Sequence, residues 1–151
     1  MNREGNTDRS EVFQPLWNLK LVPSALIHVW RVMLDRLSIT INLVRRGVQL
    51  ETYICPLCKK TNETIQHLFI NCVVVWDACE RWIGTAIIRH YSILSHYHHF
   101  CLPMLTKNGN HLWKIMWVTI VTKTWAHRNK VVFRNGIVDN VEIFSLAHIR
   151  R

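Results

Sequence analysis

Cys55, Cys58, His67 and Cys72 stand in the order C-x2-C-x8-H-x4-C within the run CPLCKKTNETIQHLFINC. Three thiolates and one imidazole are a donor set that suits tetrahedral zinc, with Zn–S near 2.3 Å and Zn–N about 2.0 Å. The two-residue gap lets the first two sulfurs converge from a tight knuckle, and Pro56 stiffens that turn. Four protein donors leave no position open for water, so the chemistry expected is one structural Zn2+ rather than a catalytic one. The second pair carries a geometric constraint. Five positions apart on an unbroken α-helix, His67 and Cys72 would point about 140° from each other. The helix expected to start near Thr61–Asn62 therefore has to unwind around Asn71, a residue type that tolerates the left-handed conformation ending many helices.

Other chemistries fit these residues less well. A redox couple at Cys55 and Cys58 would want a strand before it and a helix N-terminus at the first thiol, whereas Lys59 and Lys60 follow in what reads as a loop. A disulfide scaffold would leave an odd fifth cysteine and needs a secretory signal. Cys79 falls on the apolar face of its helix as a small hydrophobe, and Cys101 has no partner at metal spacing. His96, His98 and His99, with His90 upstream, have no neighbouring Cys or carboxylate to complete a site and read as a solvated loop. The row Trp113, Trp117, Val121 and Trp125 could stack bases, but tryptophans four residues apart on an apolar face read as core.

The elements that must position these groups are helical. From Pro23–Ser24, with the Ser24 hydroxyl as cap, Leu26, Ile27, Trp30, Met33, Leu34 and Leu37 trace one buried face. Thr40 to Arg46 forms a shorter helix with Thr40 as cap, Ile41, Leu43 and Val44 inward, and Gly47 as its stop. Val73 to Ile83 is a third helix, closed by Gly84. Residues 85–109 read as an irregular linker, with a possible short helix and then a long loop. Asn110 caps the longest helix, which runs to about Val132. A last helix spans Asp139 to about His148. No strand series or glycine-rich phosphate loop appears, so the expected class is all-α, a small helical domain with an inserted zinc knuckle.

With 151 residues, 49% hydrophobic and 19% charged, the chain is sized for one domain with a real core. The longest weakly charged stretch, Leu112 to Val121, is too short to span a bilayer, and the polar N-terminus shows no secretory or transit pattern. An intracellular protein of nucleus or cytoplasm, not a secreted one, is expected. The formal charge is +9. Its excess lies in two blocks, 13–60 with 7 basic and 2 acidic residues and 107–151 with 8 and 2. Such blocks attract the phosphate backbone of RNA or DNA through counterion release, and they equally serve as solvated helix faces.

Read in order, Leu16-Trp17 with Lys20, Pro23, Trp30-Arg31, Asp35-Arg36-Leu37, Leu43 with Arg45-Arg46-Gly47, the Cys55, Cys58, His67, Cys72 set and Trp76 form a pattern. It resembles the reverse transcriptase zinc-binding family, found at the C-terminal end of the polyproteins of plant non-LTR (LINE-type) retrotransposons. The resemblance covers about residues 13–84, after a polar tail at 1–12. Trp125, Arg128, Asn129 and Phe133 match the region commonly found after that domain, so residues 110–151 are expected as a C-terminal helical segment packing on the zinc-binding domain. The resemblance implies zinc binding, and by analogy association with template RNA or DNA. Lys20, Arg31, Arg45, Arg46, Lys59 and Lys60 are the candidate phosphate contacts, with Arg45, Arg46, Lys59 and Lys60 foremost.

Val22, Ser24 and Val73 depart from the family pattern and suggest a drifting copy. A polymerase needs clustered carboxylates for two Mg2+ ions, and Asp8, Asp35, Asp77 and Asp139 are isolated. A non-catalytic domain is expected, with a zinc-stabilised interaction module or an inert retrotransposon remnant as the alternative.

Overall fold

The computed structural model describes residues 13, 14, 16–76, 80, 92–101 and 105–139. A helical turn at 13–17, in which residue 15 is not described, brings Leu16 and Leu19 into the core. It is followed by α1 (Pro23–Met33) and α2 (Thr40–Arg45), then the Cys-rich knuckle, α3 (Ile93–His98) and α4 (Lys107–Phe133). There is no β-strand among the described residues, only an isolated antiparallel bridge between Ile54 and Asn62. The all-α expectation with an inserted knuckle stands. No helix among the described residues is long and apolar enough to cross a membrane.

Pro23 opens α1 at its first turn, where a missing N–H has no helical partner to lose. Val22 is the cap residue and makes no side-chain bond, so the Ser24 hydroxyl does not cap. The helix buries Leu26, Val29, Val32 and Met33, and leaves Ile27 and Trp30 exposed. The expected stripe was off because the apolar arc of this helix is broad, with Ser24, His28 and Arg31 together on the polar side and Ile27 and Trp30 at one edge of the arc. The flank that receives α3 and α4 decides which residues go in. Asp35 ends α1 in the left-handed conformation (φ 55°), with Arg36 N–H donating to Arg31 C=O and Asp35 N–H to Val32 C=O. That is a Schellman closure in which aspartate takes the usual glycine place, and it releases Leu37 to enter the core from beyond the helix.

The same closure ends α2. Gly47 (φ 87°) is the stop, with Val48 N–H donating to Leu43 C=O and Gly47 N–H to Val44 C=O. Within α2 the buried residues are Thr40 and Asn42, while Ile41, Leu43 and Val44 are half-buried. Thr40 is not the cap, a position taken by Ile39. Both buried polar side chains are satisfied, as burial requires. Asn42 Nδ2 donates to Asp35 Oδ1 at 2.8 Å and to Leu37 C=O at 3.0 Å. Thr40 donates from its N–H (2.8 Å) and its hydroxyl (2.9 Å) to Glu63 Oε1.

Glu63 also receives a two-pronged bond from α4. Arg128 Nε donates to Oε2 at 2.9 Å, and Arg128 Nη2 to Oε1 at 2.6 Å. Both residues are withdrawn from water, Glu63 at 0% and Arg128 at 4% exposure. Burial alone would raise the Glu63 pKa, but the Arg128 bonds and charge, with those from Thr40, hold it below the usual carboxylate range.

The expected irregular linker carries α3, capped by the Ser92 hydroxyl, which accepts from Ser95 N–H at 3.1 Å. His98 and His99 are exposed, but His96 is buried in this helix rather than solvated. Its Nδ1 accepts from Trp117 Nε1 at 2.8 Å, and its ring lies 4.8 Å from that of Trp76. A polar tip with a fixed partner makes an imidazole a core residue, a feature hidden in the run HYHHF. Lys114 closes the C-terminal end of α3 by donating to the carbonyls of Tyr97 and His98. Burial lowers its pKa to about 8.

Helix α4 starts at Lys107, four residues earlier than expected, because the Thr106 hydroxyl rather than Asn110 caps it, accepting from Gly109 N–H at 3.1 Å. The Trp row is core, as expected: Trp117 and Val121 are buried, and Trp113 and Trp125 pack against the core. Of the expected helix Val73–Ile83, residues 73–76 and 80 are helical, and the rest, with Cys79, lies outside the described residues, as does all but Asp139 of the expected helix at 139–148.

Removing one member of the buried Glu63–Arg128 pair should destabilise the fold by about 3–5 kcal/mol. Urea unfolding of Arg128→Met should show that loss, and pairing it with Glu63→Gln should recover a large part of it. Because the Glu63 pKa is lowered by folding, its contribution is complete above the unfolded glutamate value of about 4.3 and disappears as pH falls through the lower folded value. Acid unfolding should therefore be shallower in the double variant.

Candidate metal centre

The knuckle is built by a short hairpin. Cys55 N–H donates to Thr61 C=O at 2.7 Å, Glu63 N–H to Tyr53 C=O at 2.8 Å, and Lys59 N–H to Cys55 C=O at 2.9 Å. Lys59 sits at φ 56°, which closes the turn after Cys58 and brings the two sulfurs to one side. Thr64 then opens the next helical turn at Ile65, its hydroxyl accepting from His67 N–H at 3.0 Å.

The expected divergence of His67 and Cys72 is resolved by a π-turn over His67–Asn71. Cys72 N–H donates to His67 C=O at 2.7 Å, one residue longer than an α-helical bond. This wide turn returns Cys72 to nearly the azimuth of His67. No residue there takes the left-handed conformation expected of Asn71. Cys72 itself is extended (φ −66°, ψ 123°), so it leaves the helix as it reaches the site. Leu68, Phe69 and Ile70, the interior of the turn, are buried, and Trp76 Nε1 donates to Phe69 C=O.

Four side chains converge as a result. The ligand atoms of Cys55, Cys58, His67 and Cys72 all lie within 4.8 Å of one another. A tetrahedral zinc with Zn–S bonds near 2.3 Å would set its sulfurs about 3.8 Å apart, so a small contraction suffices. Cys58 Sγ and His67 Nε2 are already 3.2 Å apart, and the Thr61 hydroxyl lies 3.0 Å from Nδ1, leaving Nε2 to face the thiols.

The electrostatics favour negative charge on the first two sulfurs. Burial alone would raise the Cys58 pKa, but backbone bonds from Lys60 and Thr61 and its bond to His67 together outweigh burial and lower it, and Cys55 is lowered more. A hydrogen bond from the Cys72 thiol lowers the Cys55 pKa to about 4, and that same bond raises the pKa of Cys72. His67 is raised by its bond to Cys55. A buried pocket that stabilises thiolate and offers a second and third sulfur suits a soft divalent cation. Cys101 is a free, exposed thiol outside this group.

The family described as zinc-binding in reverse transcriptase matches residues 1–78. The chain belongs to that family. Comparison with curated proteins yields no match, and neither does comparison with solved structures. The reverse transcriptase zinc-binding domain is an accessory zinc-binding domain rather than the polymerase itself, and its three cysteines and histidine are consistent with one structural zinc.

The candidate phosphate contacts Lys20, Arg31, Arg45, Arg46, Lys59 and Lys60 are all exposed. Arg45 lies 3.6 Å from Asp35, with both side chains more than half exposed. Arg46 reaches Ser38 Oγ and Arg36 C=O at 3.4 Å. These are weak, solvent-screened contacts that a stronger anion could replace. Sequence reasoning missed Glu63 and its Thr40 contact as supports of the knuckle. An acid in an otherwise polar NET triplet gives no sign of burial by itself.

Cobalt substitution should give intense thiolate charge-transfer bands and tetrahedral d–d bands, unchanged in Cys101→Ala and lost in Cys72→Ala. Metal affinity should fall as pH is lowered, because protons return to His67 and Cys72, both held above their ordinary values, and compete with the ion. A titration of metal affinity against pH measures this directly.

Proposed function

We propose that this domain is a non-catalytic nucleic-acid-associating module of a plant LINE-type retroelement, acting in the nucleus or cytoplasm, with Cys55, Cys58, His67 and Cys72 holding one zinc ion. The ion supplies cross-linking of the knuckle. Phosphate contact falls to Arg45, Arg46, Lys59 and Lys60. The observation that carries the reading is the position of the two lysines. They are exposed on the tight turn that directly follows two of the four convergent side chains, so cross-linking the knuckle also fixes where those charges stand.

A second reading rests on a different observation. Ile27 and Trp30 lie exposed on one side of α1, and an apolar face of this kind suits a protein partner, as in a zinc-stabilised interaction module.

The test is a salt titration of oligonucleotide binding. Four phosphate contacts give a slope of log K against log[salt] of roughly −3. Replacing Arg45, Arg46, Lys59 and Lys60 by alanine should flatten the slope equally for every sequence, since phosphate contacts do not read bases. Replacing Lys107 and Lys123 should matter less. Unchanged affinity in the first variant, or no binding at low salt, would leave the interaction-module reading in place.

A further inference from the structure

The tryptophans that sequence offered as a stacking platform are engaged inside the molecule. Trp117 is buried, Trp113 stacks on Phe100 at 4.9 Å, and Trp125 lies under the Arg128 guanidinium at 5.0 Å. Exposed aromatic rings nevertheless remain at Trp17, Trp30, Tyr53 and Phe133. Tyr53 differs from the others in its setting. It is 45% exposed and lines a groove of about 470 Å³ with Val44, Gly47, Val48, Gln49 and Leu50, a size within the range of ligand sites.

The ring is presented on a fixed base. Its backbone carbonyl accepts from Glu63 N–H, and Glu63 is itself held by Thr40 and Arg128. Two residues on is Cys55, one of the four convergent side chains. Little backbone freedom remains to be lost when a ligand packs against this residue. Charge lies near it along the chain. Arg45 and Arg46 fall between the groove residues Val44 and Gly47, and both are exposed. Lys60 lies three residues from Glu63, the residue opposite Tyr53, exposed on the bend that follows Cys58.

We propose that this groove is a nucleobase-stacking site, in which an unpaired base of single-stranded RNA or DNA packs on the Tyr53 ring while flanking phosphates meet the exposed Arg45, Arg46 and Lys60. The proposal rests on the nucleic-acid role proposed for the domain and makes it specific. The groove surface around the ring is more polar than apolar. The aromatic face itself does nothing for a phosphate, but it suits the π-face of a base, which every sequence has and a duplex keeps internal. The site should accordingly prefer single strands and be nearly indifferent to sequence.

Binding of the zinc-loaded chain is compared for a short single-stranded oligonucleotide, the same length of abasic strand, and a duplex. Tyr53→Ala should weaken binding of the base-bearing single strand about 5- to 150-fold, the usual range for losing one stacked base. Abasic binding and the salt slope should stay unchanged. Tyr53→Phe should bind like the native chain, and Trp30→Ala, altering an exposed ring outside the groove, should do so too. An unchanged cobalt spectrum certifies the fold of each variant, and Tyr53→Leu, which keeps apolar bulk, serves if the alanine variant fails that check. Native affinity in Tyr53→Ala, or an equal loss on the abasic strand, overturns the stacking site and leaves phosphate binding standing. Failure of the native chain to bind any oligonucleotide at low salt overturns both.

Discussion

The carboxylate of Glu63 lies at the junction of three parts of the chain. Thr40 brings α2, Arg128 brings α4, and Glu63 carries the base of the knuckle. Two charges removed from water are stable only while every lone pair and proton is engaged, so the geometry of this meeting point is narrowly fixed. Arg128 gives a further bond to Asn129 Oδ1 at 3.1 Å. The part of the chain that matches the zinc-binding family ends at residue 78, well before Arg128. The knuckle and the long helix are thus joined through a bond that neither segment can satisfy alone.

Much of this was legible in the sequence. The four convergent side chains could be named from spacing, since few arrangements of three cysteines and a histidine within a short run serve another end. The helical stop at Gly47 and the core placement of Trp117 follow from local chemistry and period. What could not be read was the outcome of tertiary choice. The apolar arc of the helix at 23–33 is wider than the face that packs, so its neighbours decide that Val29 and Val32 go in and Ile27 and Trp30, at the edge of the arc, stay out. His96 sits among histidines that stay in solvent, and its burial depends on a tryptophan twenty-one residues away. Glu63 and Thr40 looked like surface residues for the same reason, because their partners are remote in sequence.

The site separates two tasks among its residues. Buried sulfurs and the hydrophobic interior of the turn serve cohesion, and the exposed cations beside them serve contact with solvent or a partner. Only five backbone positions separate buried Cys55 from exposed Lys60, and the tight reversal at Lys59 makes that change of environment possible.

The wide turn at His67–Asn71 bears on how such a domain can change over time. Its interior is three consecutive core residues, and its ends are bounded by two of the four convergent side chains. Losing one residue there would restore an ordinary helical turn and could keep the end side chains on one face. It would also rotate Leu68, Phe69 and Ile70 by about 100° relative to the chain beyond Cys72, moving them out of register with the core and shifting the carbonyl to which Trp76 bonds. Side chains around this stretch are under less geometric constraint than its length. Among diverging copies of the domain, the four-residue spacer should outlast the identities of most residues within it.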